Sequence, residues 1–202
     1  MSWIVILIVV AVVAYLFRRK STSQKSNLDH LPVQFILFDL ETTGLDPEKH
    51  EIIEIGAIRV NRDSDKHDTF QSLIKPNKIP KKITEITGIT QAIIDSDGEL
   101  LEPTLREFSE FVGTLRLVSF NADFDMAFLR NAAARHSISF DNPVSCALKM
   151  SRRAWPGRKS YRLADLAKDG NLSEEGKHRA LGDCQRALIV YTAAASKLGT
   201  VS

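Results

Sequence analysis

Asp39 and Glu41 stand one residue apart at the end of Phe35-Ile36-Leu37-Phe38-Asp39-Leu40-Glu41. Four apolar residues in a row after Pro32 read as a buried strand. Strand side chains alternate between faces, so the two carboxylates point the same way. Side by side at the end of an apolar strand they repel one another and lose part of their hydration. A divalent cation held between them removes both costs. A lone Asp-x-Glu is usually a solvated strand end, so this chemistry needs partners from elsewhere in the chain.

Two further acids sit where an acid needs a reason. Asp125 begins the row Asp125, Phe128, Leu129, Ala132, one face of a helix that is otherwise apolar. A carboxylate at the head of a buried stripe needs a partner. Asp123 points elsewhere and suits a first-turn charge on the helix dipole. Asn121 stands where a side chain caps that helix. Asp183 heads a second such row, with Ala187, Val190 and Ala194 at spacings of four, three and four. His178 lies five residues before Asp183. Five helical residues rotate by about 500°, which leaves two side chains roughly 140° apart. If both serve one site, His178 stands before the helix, on the loop after Gly176. A loop-borne His beside metal carboxylates suits a movable general base.

These residues require a definite set of elements. Residues 52–60 and 68–74 read as strands that complete an antiparallel meander of three with the first. Residues 81–94 read as short helices broken at Gly88. Residues 103–115 form an amphipathic helix with Leu105, Phe108, Phe111 and Val112 on one side. A short strand over 116–120 leads into a helix over 123–136, and 143–148 reads as a fifth strand. Helices over 161–168 and 179–198 complete the chain. Strands first, then strands alternating with helices, imply an α/β fold with a mixed sheet. Between these elements Lys149, Arg152, Arg153, Arg158, Lys159 and Arg162 fall close together, with Trp155 and Tyr161 among them. Cations can meet phosphates there and rings can stack on bases.

The 202 residues suffice for one well-buried domain and a short appendage. The formal net charge is +2; without Arg18, Arg19 and Lys20 the chain has 24 basic against 25 acidic residues. No global charge announces a polyanion partner, so any basic surface is local. Cys146 and Cys184 form no metal or redox motif and suit a reducing compartment. Residues 3–17 are apolar without a break. As a helix they span roughly 22 Å, short of a hydrocarbon core of about 30 Å, and snorkelling by Arg18 and Arg19 extends them. The charge follows the apolar run, opposite to a cleaved signal peptide. The expectation is an uncleaved anchor over 1–20, a linker over 21–32 and a catalytic domain over 33–202. The Arg-Arg-Lys flank places that domain on the cytoplasmic side of the inner membrane, with a single pass through it.

Together, Phe38-Asp39-Leu40-Glu41-Thr42-Thr43-Gly44-Leu45, Asn121-Ala122-x-Phe124-Asp125 and His178-x-Ala180-x-x-Asp183 resemble the three motifs of the DEDDh exonucleases. That family includes the proofreading (epsilon) exonuclease of bacterial DNA polymerase III. Thr87-Gly88-Ile89-Thr90 resembles a further segment that lies along the substrate. The chain departs from the family in places: Phe120 and Thr87 stand where many members have His, and Cys184 where Ala is common. The anchor is not part of the family pattern, and nothing resembling a polymerase-binding tail follows Leu198, which leaves polymerase association open.

The resemblance implies a ribonuclease H-like, five-stranded mixed sheet flanked by helices. It implies two divalent ions, Mg²⁺ or Mn²⁺, held by Asp39, Glu41, Asp125 and Asp183, with His178 as general base. It further implies that Thr42, Leu45, Ile89 and Asn121 meet the terminal nucleotides. The basic stretch adds Arg158 and Lys159 as substrate contacts. The expected activity is removal of mononucleotides from the 3′ ends of single-stranded DNA. Two alternatives are a 3′→5′ exoribonuclease and an inactive, membrane-tethered nucleic-acid-binding adaptor.

Overall fold

The computed structural model describes residues 29–64, 66–169 and 178–199. The expected anchor over 3–17 and most of the linker lie outside the described residues. Among the described residues no helix is long and apolar enough to cross a membrane.

Five strands, β1 (Gln34–Thr42), β2 (Ile52–Asn61), β3 (Asp68–Leu73), β4 (Arg116–Ser119) and β5 (Val144–Cys146), form one sheet in the order β3-β2-β1-β4-β5. β1, β2 and β3 pair antiparallel, whereas β4 and β5 run parallel to β1. The expected meander and mixed sheet are therefore present. Two short helices, α1 (Lys81–Thr87) and α2 (Gln91–Asp97), meet at Gly88, whose φ of 72° ends the first. They close a small cluster of Ile53, Ile79, Ile89 and Ile94.

The alternation of β1 divides the core. Ile36, Phe38 and Leu40 face α3 (Leu101–Val112) and α4 (Ala122–Ala134), in a cluster with Leu105, Phe108, Phe128 and Leu129. Phe35 and Leu37 face the other way, toward α5 (Ala147–Ala154) and α7 (Ala180–Leu198), in a cluster with Val118, Met150, Ala187 and Tyr191. Residues directly opposite across an antiparallel pair share a face, so Phe35 with Val60 and Leu37 with Ile58 line the α7 side. The same row continues into Asp39 opposite Gly56 and Glu41 opposite Glu54. An apolar row thus turns acidic at one end, beneath the first turn of α7.

Two expectations need correction. The fifth strand is three residues rather than the six expected over 143–148, and α5 follows it at once through part of the basic stretch, where no helix was expected. The buried side of α5 is Ala147, Met150, Ser151 and Ala154. That spacing is helical, with Lys149, Arg152 and Arg153 left to the exposed side. Trp155 packs against the α7-side core, and its ring lies 5.9 Å from the Lys197 Nζ. α6 (Leu163–Asp169) completes the architecture.

Candidate metal centre

β1 delivers Asp39 and Glu41 from the same face, and α7 delivers Asp183 from its first turn. One carboxylate oxygen from each lies within 4.8 Å of the others. The three are half-buried, so the cluster is open to solvent on one side. The β1–β2 pairing slips between Glu41 and Thr42, a bulge that ends the ladder where the acidic row ends.

Asp125 stands outside that triangle, on the α4 side of β1. It is buried, takes the Ser119 hydroxyl on Oδ2, and takes the Leu40 N–H on Oδ1 at 3.3 Å. These bonds are the partners its place at the head of an apolar stripe demanded. Its charge still reaches Asp39 and Glu41.

The electrostatics show what the cluster lacks. Burial, followed by the charges of Asp125, Glu41, Asp183 and Glu54, holds the Asp39 carboxyl well above the usual range. Burial, then Asp183, Glu54 and Asp125, pushes Glu41 up to about 8, with Arg179 pulling the other way. Burial raises Asp125 to about 7 against the opposing bonds from Ser119 and Leu40. Burial and mutual repulsion thus raise Asp39 and Glu41 together. Hard oxygen donors converging from two distant segments fit a hard divalent cation, which would remove that penalty.

His178 lies in the turn before α7, as the helical-wheel argument required. Its φ of 59° is uncommon for a residue with a Cβ. Its imidazole is exposed, while its backbone N–H donates to Asp183 Oδ2 at 3.2 Å. Asp183 Oδ1 accepts from Arg186 Nη1 at 2.7 Å. Such an outlier, next to the acids and held by one of them, is the kind of strain that collects at working sites.

The remaining expected residues divide. Thr42 is buried, its hydroxyl donating to the Gly44 carbonyl at 2.6 Å, and this bond shapes the turn after β1. A Cβ at Gly44 would stand 2.5 Å from the His50 ring, so a larger residue there must displace that ring. Leu45 follows at 83% exposure, an apolar side chain offered to solvent beside the acids. Ile89 is buried in the small isoleucine cluster, so its side chain serves the core. Asn121 is exposed and makes no side-chain cap; its carbonyl accepts from Phe124 and Asp125 instead. Asp123 turns outward to Lys149 at 2.7 Å. Arg158 pairs with Asp169 at 2.6 Å and donates to the Ser160 carbonyl, while Lys159 is exposed.

Sequence reasoning missed Glu54 and Arg179. Glu54 is fully buried, and its two oxygens receive the Arg179 guanidinium at 2.8–3.2 Å. The signal was one acid inside Ile52-Ile53-Glu54-Ile55, a row in which nothing else is charged.

Comparison with known proteins identifies the family. The exonuclease family model matches residues 36–191. The epsilon subunit of DNA polymerase III from Aquifex aeolicus is 36% identical over 166 residues, covering 81% of this chain and 80% of that protein. The PolC-type DNA polymerase III of Caldanaerobacter subterraneus is 34% identical over 166 residues, covering 82% of this chain but only 12% of that protein. The chain therefore spans about an eighth of the length of such PolC-type relatives. Among solved structures, E. coli exonuclease I in complex with a dT13 oligonucleotide superposes with a TM-score of 0.72 at 20% identity, over 83% of this chain and 42% of that one. Exonuclease X in complex with 5′ overhanging duplex DNA gives 0.66 at 25% identity, over 82% of this chain and 93% of that one. The chain belongs to the exonuclease family, and residues 36–191 are its exonuclease domain.

Proposed function

We propose that this member of the exonuclease family hydrolyses single-stranded DNA from its 3′ end, one nucleotide at a time, in a reaction that requires divalent cations. The observation that carries this reading is the convergence of Asp39, Glu41 and Asp183. Asp39, Glu41, Asp183 and the adjacent Asp125 would hold two cations, Mg²⁺ or Mn²⁺. Such cations supply charge stabilisation at phosphorus and orient the attacking and leaving oxygens.

The chain's own residues do the rest. His178, exposed at the rim, accepts the proton of the attacking water. The water oxygen bonds to phosphorus, and the bond from phosphorus to the 3′ oxygen of the preceding nucleotide breaks. That oxygen ends protonated, as the new 3′-hydroxyl, and a 5′-mononucleotide leaves. Leu45 gives the terminal base an apolar surface, and the turn held by Thr42 fixes where Leu45 stands. Lys159 and its neighbours meet phosphates further along the strand.

Residues 3–17, followed by Arg18, Arg19 and Lys20, tether this domain to the inner membrane with the active site in the cytoplasm. The support is the uninterrupted apolar run and its one-sided basic flank. Reduced Cys146 and Cys184 suit that compartment.

The test is digestion of matched DNA and RNA oligomers, each with a free or a phosphorylated 3′ end, by the full chain in mild detergent with Mg²⁺. Stepwise release from free DNA 3′ ends is expected, slowed by the 3′-phosphate. Faster digestion of RNA would make it an exoribonuclease, and release from blocked or circular strands would make it an endonuclease.

A further inference from the structure

Glu54 is a carboxylate with no exposure, directly opposite Glu41 in the β1–β2 ladder and on the same face. Burying a carboxylate costs several kcal/mol unless partners offset it. Glu54 has them on both oxygens. Oε1 accepts from Gln71 Nε2 at 2.8 Å and from Arg179 Nη2 at 2.8 Å. Oε2 accepts from Arg179 Nε at 3.1 Å and from the Ala180 N–H at 3.0 Å. So filled and so enclosed, it is not a further ligand for a cation in the acidic cluster.

Its partners say what it is for. Arg179 is the cap residue of α7 and Ala180 its first helical residue. The Ala180 N–H is one of the donors a helix leaves unsatisfied at its start. A negative charge at that point also suits the helix dipole. Two residues along β2, Gly56 removes any spacer between strand and helix: a Cβ there would lie 2.5 Å from the Leu181 nitrogen. The Cys184 Sγ closes on the Gly56 carbonyl at 3.2 Å. The first turn of α7 is therefore seated directly on the β2 backbone. The residue before Arg179 is His178, and Asp183 follows within the same turn. The body of α7 packs on both β1 and β2, but among the described residues the hydrogen bonds from Arg179, Ala180 and Cys184 that tie its head to the sheet end on β2, whereas β1 carries Asp39 and Glu41.

We infer that the Glu54–Arg179 pair is a positioning device, a clamp that sets the head of α7 and so holds Asp183 and His178 in register with Asp39 and Glu41. This rests on the exonuclease reading above. Displacing a reacting group by about 1 Å costs on the order of 10²-fold in rate. Arg179 must deliver two donors at a fixed angle, which a lysine cannot do.

The test compares Glu54→Gln, Glu54→Asp and Arg179→Lys with the wild-type full chain. Val112→Ala, which opens the core on the opposite face of the sheet, serves as a destabilised control. Glu54→Gln keeps the shape and loses the charge. Its kcat on single-stranded DNA should fall about 10- to 100-fold with KM changed less than about twofold. Its dissociation constant for Mn²⁺, titrated alone by calorimetry, should rise about 10-fold. Arg179→Lys and Glu54→Asp should shift both readouts the same way by less, and they carry the test if Glu54→Gln fails to fold. Val112→Ala should keep both values per folded molecule. A wild-type chain without Mg²⁺-dependent activity sinks the exonuclease reading, and Mn²⁺ affinity then still reads the clamp. Activity and Mn²⁺ affinity within twofold of an active wild type, or losses matched by Val112→Ala, overturn the clamp.

Discussion

Glu41 and Glu54 face each other across one pair of strands, and the protein treats them in opposite ways. Glu54 is sealed in and filled by Arg179, Ala180 and Gln71. Glu41 stands half-open beside Asp39 and Asp183 and is pushed up to about 8 by burial and the charges of Asp183, Glu54 and Asp125, with Arg179 pulling the other way. The first arrangement is finished, so it can brace. The second crowds half-buried carboxylates together, an arrangement that could hold a cation. The same residue type, on the same face of the same sheet, becomes structure or chemistry according to where the nearest guanidinium lies.

The largest expected effect comes from the unfinished side. Asp39→Ala and Asp183→Asn should stay folded and lose on the order of 10²-fold or more in kcat, the scale of removing one group that stabilises charge. Purified variants that retain strong hydrolysis would break the comparison at its root. Glu41→Gln sharpens it, because glutamine is neutral without having to take up a proton on folding: activity should collapse while, near neutral pH, the metal-free chain melts at a higher temperature than the wild type. Glu54→Gln should instead lower the melting temperature, since Arg179 loses its counterion. Equal shifts of one sign in the two variants would erase the distinction.

His178→Ala should cost at least about tenfold in turnover with Mn²⁺ affinity retained, as expected for loss of a general base. An unchanged rate would reduce it to a surface residue.

Smaller effects follow from linkage. Glu41 and Asp125 hold protons in the folded chain up to about 8 and about 7, well above their ordinary 4.5 and 3.8. Across that window the folded state binds more protons than the unfolded one, so metal-free stability should fall as pH rises. Cation binding displaces those protons, so Mn²⁺ affinity should rise over the same window. Melting curves in EDTA and Mn²⁺ titrations across it read both slopes. The smallest effect concerns the proposed tether: if residues 1–20 are an anchor, deleting them should release the domain from membranes and leave its intrinsic exonuclease rate unchanged.

The unfinished side was legible in the sequence because its anomalies are local. Strand alternation put Asp39 with Glu41, and helical spacing put Asp183 at the head of an apolar row. Helical rotation put His178 before α7 on the premise that it and Asp183 serve one site. The finished side was not legible, because Glu54 meets Arg179 across 125 residues and each has an ordinary local excuse. One is a strand residue and the other a basic residue beside a His. α5 was missed for a different reason: eight residues are short for a helical period to stand out, and its cations also fit a phosphate-binding cluster. For Asn121 the spacing suggested a side-chain cap, but the helix start is closed by its backbone carbonyl.

The most direct measurement is a time course on a 5′-labelled single-stranded DNA with the full chain stripped of metal by EDTA, then supplied with Mg²⁺, beside Asp39→Ala treated identically. The account predicts no change before Mg²⁺, then a ladder shortening by single nucleotides from the 3′ end, and no ladder from the variant. Shortening in EDTA, or by Asp39→Ala at the wild-type rate, would contradict it.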